Sequence, residues 1–514
     1  MPHELCGKHN ISSSWGSKQA PARASLLLPR RVYSSTSMTR LAVLFVALLI
    51  IFVQDVAAQT AKQIPATPPD LQTGVVIPKV ICMTQPEQSY ALYLPSNYTR
   101  EKLWPIVYAF DPGARGEMPV ELMKDAAERY GYIVVGSNNS QNGPWKLEAE
   151  AAQAMARDAQ ARLAIDNQRA YLAGLSGGAR FASALAQRCK CAMGVLMSGA
   201  GFAPGSPPAP GGAFGVFAAV GTFDFNYPEL VELDAQLETL HYAHALRRFD
   251  GIHEWAPAGV MNEALAWFRL IEMKMGRAAR DEVFVKEQAA EAETRAKNLQ
   301  AAGDLYGAWQ EYRQTAETFH GLGEFPVFEE HAAALEKDKA IRDGAKREQQ
   351  DFAEQTRLMA DISSGMSALR QDSAGGPEQR NEVARQISEL RSRAGQEKNP
   401  QKLRVLRRAL AGIFIEAMEA GDGLYDAKDF TRARIFYELG VGAETDSAWA
   451  WREVAVARAM TGDRKGAIEA IRHTQEKSKD PAAFSKWLEQ EPAFAKIRDT
   501  PEFRALIATT PETH

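Results

Sequence analysis

Residues 170–180 read AYLAGLSGGAR, and this stretch decides the fold. Within it, residues 174–178 (GLSGG) match the pattern G-x-S-x-G, with an apolar, strand-like segment before them and an alanine-rich, helical segment after them. A serine on such a tight strand-to-helix turn needs glycine neighbours, because a Cβ on either side would clash with the strand or the helix. The pattern predicts that Ser176 is a nucleophile raised above the edge of a sheet.

Short apolar strands alternate with helical segments on both sides of this turn, as far as about residue 275. The predicted strands are Ser89–Leu94, Pro105–Phe110, Tyr132–Gly136, Ala170–Leu175, Ala192–Met197, Phe214–Val220 and His244–Phe249. This alternation is typical of βαβ units, whose parallel strands are buried on both faces. The sequence therefore predicts an α/β fold with a mostly parallel sheet flanked by helices, followed by an all-α region.

A serine hydroxyl is a weak nucleophile unless a base accepts its proton. His253 lies on a turn-rich segment between the last predicted strand and a helical segment, and we predict that it is this base. Asp224 follows the apolar strand that ends at Val220, so its carboxylate is predicted to hold the histidine ring in the productive tautomer. Asp250 is the competing acid, although it lies on the same short turn as His253.

The chain order Ser176, Asp224, His253 is that of the α/β-hydrolase superfamily, and the region from Ser89 to Met275 resembles that superfamily. It looks most like the secreted bacterial esterase branch, which includes feruloyl-esterase-like and polyhydroxyalkanoate-depolymerase-like proteins. The resemblance implies a parallel sheet flanked by helices, an acyl-enzyme intermediate and no cofactor.

We therefore expect a serine hydrolase that cleaves a small-molecule or polymeric ester. A serine peptidase of the same fold is one alternative, because peptide and ester hydrolysis use the same three groups. A degenerate hydrolase that binds a protein through its helical region is another, and the intact set of Ser176, Asp224 and His253 argues against it.

The oxyanion of a tetrahedral intermediate needs backbone N–H donors. Gly177 opens a helix, so its N–H is one predicted donor. The second should come from the loop after the strand that ends at Phe110, but Pro112 in that loop has no N–H. Gly113 and Ala114 remain as candidates, and the sequence does not choose between them.

The N-terminus indicates export from the cytoplasm. Leu41–Val53 is an unbroken apolar run that follows Arg40 and precedes small residues suited to cleavage after Ala58. We predict a leader over residues 1–58 with a signal peptide at 41–58, a linker at 59–78, and a periplasmic or secreted protein that meets a membrane only through an uncleaved signal. The start codon encodes either Met1 or Met38.

The hydrolase domain is predicted over residues 79–275, followed by a charged helical region at 276–410 and a helical domain at 411–514. The pattern Gly-Asp-x-x-Gly-Ala occurs at 303–308 and again at 462–467, and a looser match begins at Lys428. The pattern resembles tetratricopeptide repeats, in which a small alanine lets two helices pack closely. These repeats are a candidate surface for a protein partner.

The bulk composition and the cysteines limit the remaining possibilities. A net charge of -4 gives no reason to expect nucleic acid as a partner. Cys82, Cys189 and Cys191 follow the signal, and a disulfide between Cys82 and either of the other two is possible. The Cys-Lys-Cys spacing is too short for a zinc knuckle, so no metal site is predicted.

Overall fold

The computed structural model describes residues 71–212, 214–371, 376–478 and 480–508. The predicted leader, its signal peptide and most of the predicted linker lie outside these residues. Within them, no helix is both long enough and apolar enough to cross a membrane.

The N-terminal half of the described chain forms an eight-stranded sheet with the order β1-β2-β4-β3-β5-β6-β7-β8. The strands are β1 (Val76–Ile81), β2 (Ser89–Tyr93), β3 (Trp104–Phe110), β4 (Ile133–Ser137), β5 (Ile165–Leu175), β6 (Gly194–Ser198), β7 (Gly215–Gly221) and β8 (His244–Phe249). Strands β3 to β8 pair in parallel, whereas β2 is antiparallel to both of its neighbours. Strands β2, β3, β4, β6 and β7 are buried along their whole length, as expected where helices cover a parallel sheet.

Five helices of the described part of the chain accompany the sheet. They are α1 (Glu117–Tyr130), α2 (Trp145–Arg162), α3 (Gly177–Cys189), α4 (Tyr227–Thr239) and α5 (Ala258–Lys274). The predicted fold class is confirmed: the chain has a mostly parallel α/β sheet flanked by helices, and an all-helical region follows it.

The helical region follows directly. Its helices are α6 (Glu282–Ala301), α7 (Leu305–Phe319), α8 (Pro326–Glu336), α9 (Lys339–Gln371), α10 (Pro377–Gln396), α11 (Pro400–Asp426), α12 (Phe430–Ala443), α13 (Ala448–Met460), α14 (Arg464–Lys477), α15 (Pro481–Gln490) and α16 (Pro501–Ala508), with a 3-10 helix at Pro492–Lys496.

Strand β1 has no counterpart among the predicted strands and begins inside the predicted linker. It is one of the two edge strands of the sheet, and only Val80 among its six residues is buried. An edge strand that contains Pro78 and Lys79 carries neither a continuous apolar run nor a clean alternation, which is why the sequence pattern missed it.

The hydrophobic core of the sheet continues into the first helices of the helical region. Buried residues of α6, α7 and α8, such as Phe284 and Phe328, belong to the same cluster as residues of the sheet and of α5. The Phe284 ring packs edge-on against Tyr130 of α1 at a centroid distance of 5.7 Å. A second core runs from Ile362 to Leu506. The first core thus extends past residue 275. The predicted domain boundaries at 275 and 410 stay predictions.

The recurring Gly-Asp-x-x-Gly-Ala pattern marks the beginning of a helix. The Asp304 and Asp463 side chains accept hydrogen bonds from the N–H groups of Gly307 and Gly466, and each aspartate is thereby the N-cap of its helix. Asp429 caps α12 in the same way. The alanines that follow, Ala308, Ala433 and Ala467, are fully buried. The assignment to tetratricopeptide repeats stays a prediction.

The cysteines pair differently from the possibility raised by the sequence. Cys189 and Cys191 form a disulfide with each other at the end of α3, and Cys82 is a buried free thiol. Lys190 between the two cysteines adopts a left-handed conformation, with φ at 51°, which closes this short loop.

Candidate active site

Ser176 is the single residue between the end of β5 and the beginning of α3. Its φ of 53° and ψ of -119° lie where residues with a side chain are rarely found, a strain of about 1–3 kcal/mol that concentrates at functional sites. Its side chain makes no capping hydrogen bond to the helix, and the residue is partly exposed. The hydroxyl is therefore not committed to the helix that it precedes.

The glycines around Ser176 are needed for the reason that the sequence indicated. A Cβ on Gly174 would lie 2.2 Å from the carbonyl oxygen of Gly178, and one on Gly178 would lie 2.0 Å from that of Phe110. Both contacts are with backbone atoms, which cannot move aside without shifting β3 or α3. The turn fits against the sheet only with glycine at these two positions.

Asp224 and His253 are in direct contact. The His253 Nδ1 atom lies 2.9 Å from Asp224 Oδ1 and 3.0 Å from Oδ2, and the Asp224 side chain is fully buried. The pKa of Asp224 is raised above its usual range, because the effect of burial exceeds the lowering effects of the hydrogen bond and charge of His253 and of the Asn226 N–H. A buried carboxylate in this position orients the imidazole so that Nε2 is left to act as a base.

The competing acid takes no part in this contact. Asp250 is exposed, and its carboxylate lies 3.5 Å from the Thr222 hydroxyl.

Gly199 connects the nucleophile turn to the Asp–His pair. The Ser176 N–H donates to the Ser198 carbonyl at 2.9 Å. A Cβ on the next residue, Gly199, would lie 3.0 Å from Asp224 Oδ2 and 3.1 Å from His253 Nδ1. The three predicted residues thus follow the carboxyl ends of β5, β7 and β8, on the same edge of the sheet.

The loop after β3 differs from the prediction in how its N–H groups are used. The Gly113 N–H donates to Asp111 Oδ1 at 2.8 Å, and the Ala114 N–H points to the Asp111 carbonyl at 3.3 Å. Both candidates for the second oxyanion donor therefore already have partners within their own loop, which the sequence could not reveal. Gly177, the first candidate, is the first residue of α3, where helix geometry leaves N–H groups without intrahelical partners.

Asn142 lies beside this first donor. Its Oδ1 atom would be 1.9 Å from a Cβ on Gly177 and its Nδ2 atom 3.5 Å away, so the carboxamide borders the nucleophile turn. Its own N–H donates to the Pro112 carbonyl at 2.8 Å, which fixes the backbone at this point. The sequence indicates Asn142 only as one of several residues that could line a polar and aromatic cleft, and it gives no signal for a donor role.

Asp111 connects the loop after β3 to the histidine loop. Its fully buried carboxylate accepts hydrogen bonds from Arg115 Nε at 2.9 Å and from Trp255 Nε1 at 2.7 Å, besides the Gly113 N–H. Trp255 comes two residues after His253. The sequence Asp-Pro-Gly reads as a plain turn, so the role of this carboxylate in joining two loops was missed.

Apolar side chains are exposed close to these residues in sequence. Trp145 and Leu147 follow Asn142, and Ile252 precedes His253 with 60% of its surface exposed. Among the described residues, no group of three or more histidine, cysteine, aspartate or glutamate side chains could hold a metal ion.

No family model and no curated protein matches this chain. Solved structures with a similar fold include a ferulic acid esterase, which is 17% identical with a TM-score of 0.33 and matches 39% of this chain and 99% of its own. A hyperthermophilic esterase from Pyrobaculum calidifontis is 14% identical with a TM-score of 0.30, over 39% of this chain and 85% of its own. A fluorophosphonate-binding serine hydrolase F from Staphylococcus aureus is 12% identical with a TM-score of 0.30, over 38% and 98%. At such identities, the function of this chain has to be argued from its own residues.

Proposed function

We propose that this chain is a serine hydrolase that cleaves carboxylic esters through an acyl-enzyme intermediate. The observation that carries the proposal is the contact between His253 Nδ1 and Asp224 on the sheet edge that also holds the strained Ser176. A nucleophile without a capping role, a base and a buried orienting carboxylate are the three parts that acyl transfer needs.

The reaction has two halves. His253 Nε2 takes the proton of the Ser176 hydroxyl as its oxygen attacks the ester carbonyl, and the protonated imidazole is stabilised by Asp224. His253 then gives the proton to the departing alcohol, which leaves an acyl group on Ser176. A water molecule attacks this acyl group with His253 again as the base, which releases the acid and restores the serine.

The oxyanion of each tetrahedral intermediate is held by the Gly177 N–H and the Asn142 carboxamide. The first N–H groups of α3 carry the positive end of the helix dipole, which favours a developing negative charge. We assign the second donor to the Asn142 Nδ2 group, because the Gly113 and Ala114 N–H groups already bond to Asp111. The Oδ1 atom of the same carboxamide is the one nearer to Gly177, and it can only accept a hydrogen bond.

The exposed side chains of Trp145, Leu147 and Ile252 favour an ester with a bulky or extended apolar group. The connection from β6 to β7 also leaves little room for a cap, since no helix occurs between Ser198 and Gly215 among its described residues. Ser176 and His253 are both partly exposed, as an open site requires.

The experiment is hydrolysis of short-chain p-nitrophenyl esters by the protein and by its Ser176→Ala variant. We expect turnover by the protein, and in the variant a loss of at least about 10³-fold. Equal turnover by both proteins, or none by a folded protein across acyl chain lengths, would contradict the proposal.

A further inference from the structure

The loop that carries Asp224 has two sides. Asp224 and Asn226 face the active site, where the Asn226 N–H donates to Asp224 Oδ1 at 2.8 Å and the Asn226 carboxamide donates to the Gly199 carbonyl at 2.8 Å. The alternate residues, Phe223, Phe225 and Tyr227, contact the helical region. We call residues 222–227, the last of which is the first residue of α4, the acid loop.

One face of α9 meets the acid loop. Glu348, Phe352, Gln355 and Met359 recur at the spacing of a single helix face. The Tyr227 hydroxyl donates to Glu348 Oε1 at 3.2 Å, and the Phe352 ring packs on Tyr227 at a centroid distance of 6.1 Å. Gln355, which is only 5% exposed, donates from Nε2 to the Phe225 carbonyl at 2.9 Å.

Helix α11 contacts the same loop beside α9. The Arg407 guanidinium lies 5.5 Å from the centre of the Phe223 ring, and that of Arg408 lies 4.6 Å from Tyr227. A Cβ on Gly412 would lie 2.5 Å from Met359 Cε and 3.5 Å from Phe225 Cβ, so glycine allows the two helices and the loop to meet closely.

Phe225 connects these helices to the chemistry. Its ring packs against the His253 imidazole with the ring centres 4.4 Å apart. The same residue therefore touches the base with its side chain and accepts a hydrogen bond from α9 with its backbone.

We propose, on the basis of the proposed function, that α9 and α11 act as a clamp on the acid loop, and that Phe225 and Gln355 are positioning residues for Asp224 and His253. The clamp makes the helical region a part of the active site. Releasing the clamp lets the Asp–His pair move relative to Ser176, and small displacements of reacting groups are costly in rate.

The kinetic test compares Gln355→Met and Phe225→Ala with the unchanged protein. Met has nearly the volume of Gln but no N–H, so the first variant removes the hydrogen bond to the Phe225 carbonyl. We expect kcat to fall about 10-fold in Gln355→Met and further in Phe225→Ala, with KM within about 2-fold, because only positioning is lost. The double variant should lose less than the product of the two single losses, since both act on one loop.

Gln396→Met is the matched control. Gln396 lies on α10 and donates to Ser392 Oγ at 3.2 Å on the exposed surface of the same helix, so this variant removes the same kind of hydrogen bond away from the acid loop and from the two clamp helices. Its kcat should stay within about 2-fold of the unchanged value. In a double variant with Phe225→Ala, the fold-change in kcat should equal the product of the two single fold-changes. Equal effects of Gln355→Met and Gln396→Met would overturn the clamp.

A second readout needs no turnover. The proton that His253 Nδ1 shares with Asp224 gives a low-field NMR resonance, which can be followed in a Ser176→Ala background. Loss or broadening of this resonance on adding Gln355→Met, with an unchanged melting temperature, supports the clamp. An unchanged resonance overturns it, even if ester hydrolysis is absent and the proposed function itself has failed.

Discussion

At the scale of single residues, Asp224 and Asp250 are the two candidate acids for His253, and of the two only Asp224 touches its ring. Asp224→Asn should leave the fold intact but favour the wrong histidine tautomer, which lowers kcat by about 10³–10⁴-fold. Asp250→Asn is the matched control and should keep kcat within about 3-fold. Steady-state kinetics on one ester decides between them. If kcat fell in Asp250→Asn and not in Asp224→Asn, the assignment of Asp224 as the acid would be wrong.

Asn142 carries a separate prediction. If its carboxamide holds the oxyanion, Asn142→Ala should lower kcat by about 10²–10³-fold with little change in KM, because the donor acts mainly on the transition state. Gln141→Ala changes the neighbouring residue, whose contact with Gly113 is a backbone bridge, and should behave like the unchanged protein. Equal activity of Asn142→Ala and Gln141→Ala would exclude the carboxamide as a donor.

Glu148 gives the protein a distinctive dependence of stability on pH. Burial raises the pKa of this carboxyl on α2 from 4.5 to about 8. The folded protein therefore keeps the proton between these values while the unfolded chain loses it, so the contribution of Glu148 to stability is full below pH 4.5 and falls as the pH rises towards 8.

Glu148→Gln should remove this dependence. The melting temperature of the variant minus that of the unchanged protein should increase from pH 5 to pH 9, because the glutamine has no proton to lose. Glu150→Gln, on the same helix, changes a carboxylate that is partly exposed and pairs with Lys146, and it serves as the control. A difference between Glu148→Gln and the unchanged protein that stays constant with pH would show that the carboxyl is already ionised when folded.

At the scale of elements, the nucleophile turn depends on a contact between backbones. Gly178→Ala places a Cβ 2.0 Å from the Phe110 carbonyl oxygen and should cost several kcal/mol of unfolding free energy. Gly259→Ala, in the first turn of α5, meets nothing within 4 Å and should be neutral or stabilising by up to about 1 kcal/mol. Chemical denaturation measures both. Equal stabilities would mean that the turn can relax around an added methyl group.

The elements that sequence reasoning found are those with strong local patterns. Strands β2, β3, β4, β6 and β7 carry apolar runs, and the turn at Ser176 carries its glycines, so these elements are predicted close to their observed bounds. Strand β5 begins at Ile165, earlier than the predicted Ala170, because its first residues are mostly polar. Strand β1 was missed because its exposed edge has no such pattern. The contacts of Asp111 with Trp255 and of Gln355 with Phe225 join residues more than 100 positions apart, and no local pattern encodes a pairing over that distance.

At the scale of the whole molecule, the sequence located the change from α/β to all-α composition but not the way the two parts share a core. Phe284 of α6 packs on Tyr130, and the acid loop lies against α9 and α11. These contacts depend on tertiary packing between distant segments, which composition does not report. The export signal and a protein partner for the helical region stay predictions.

The central claim is that Ser176 is an activated nucleophile, and covalent labelling tests it most directly. The folded protein and its Ser176→Ala variant are incubated with a fluorophosphonate and weighed intact by mass spectrometry, and the labelled peptide is then sequenced. We predict a single adduct on the peptide that contains Ser176 and none on the variant. An unlabelled folded protein, or the same adduct on the variant, would contradict the account.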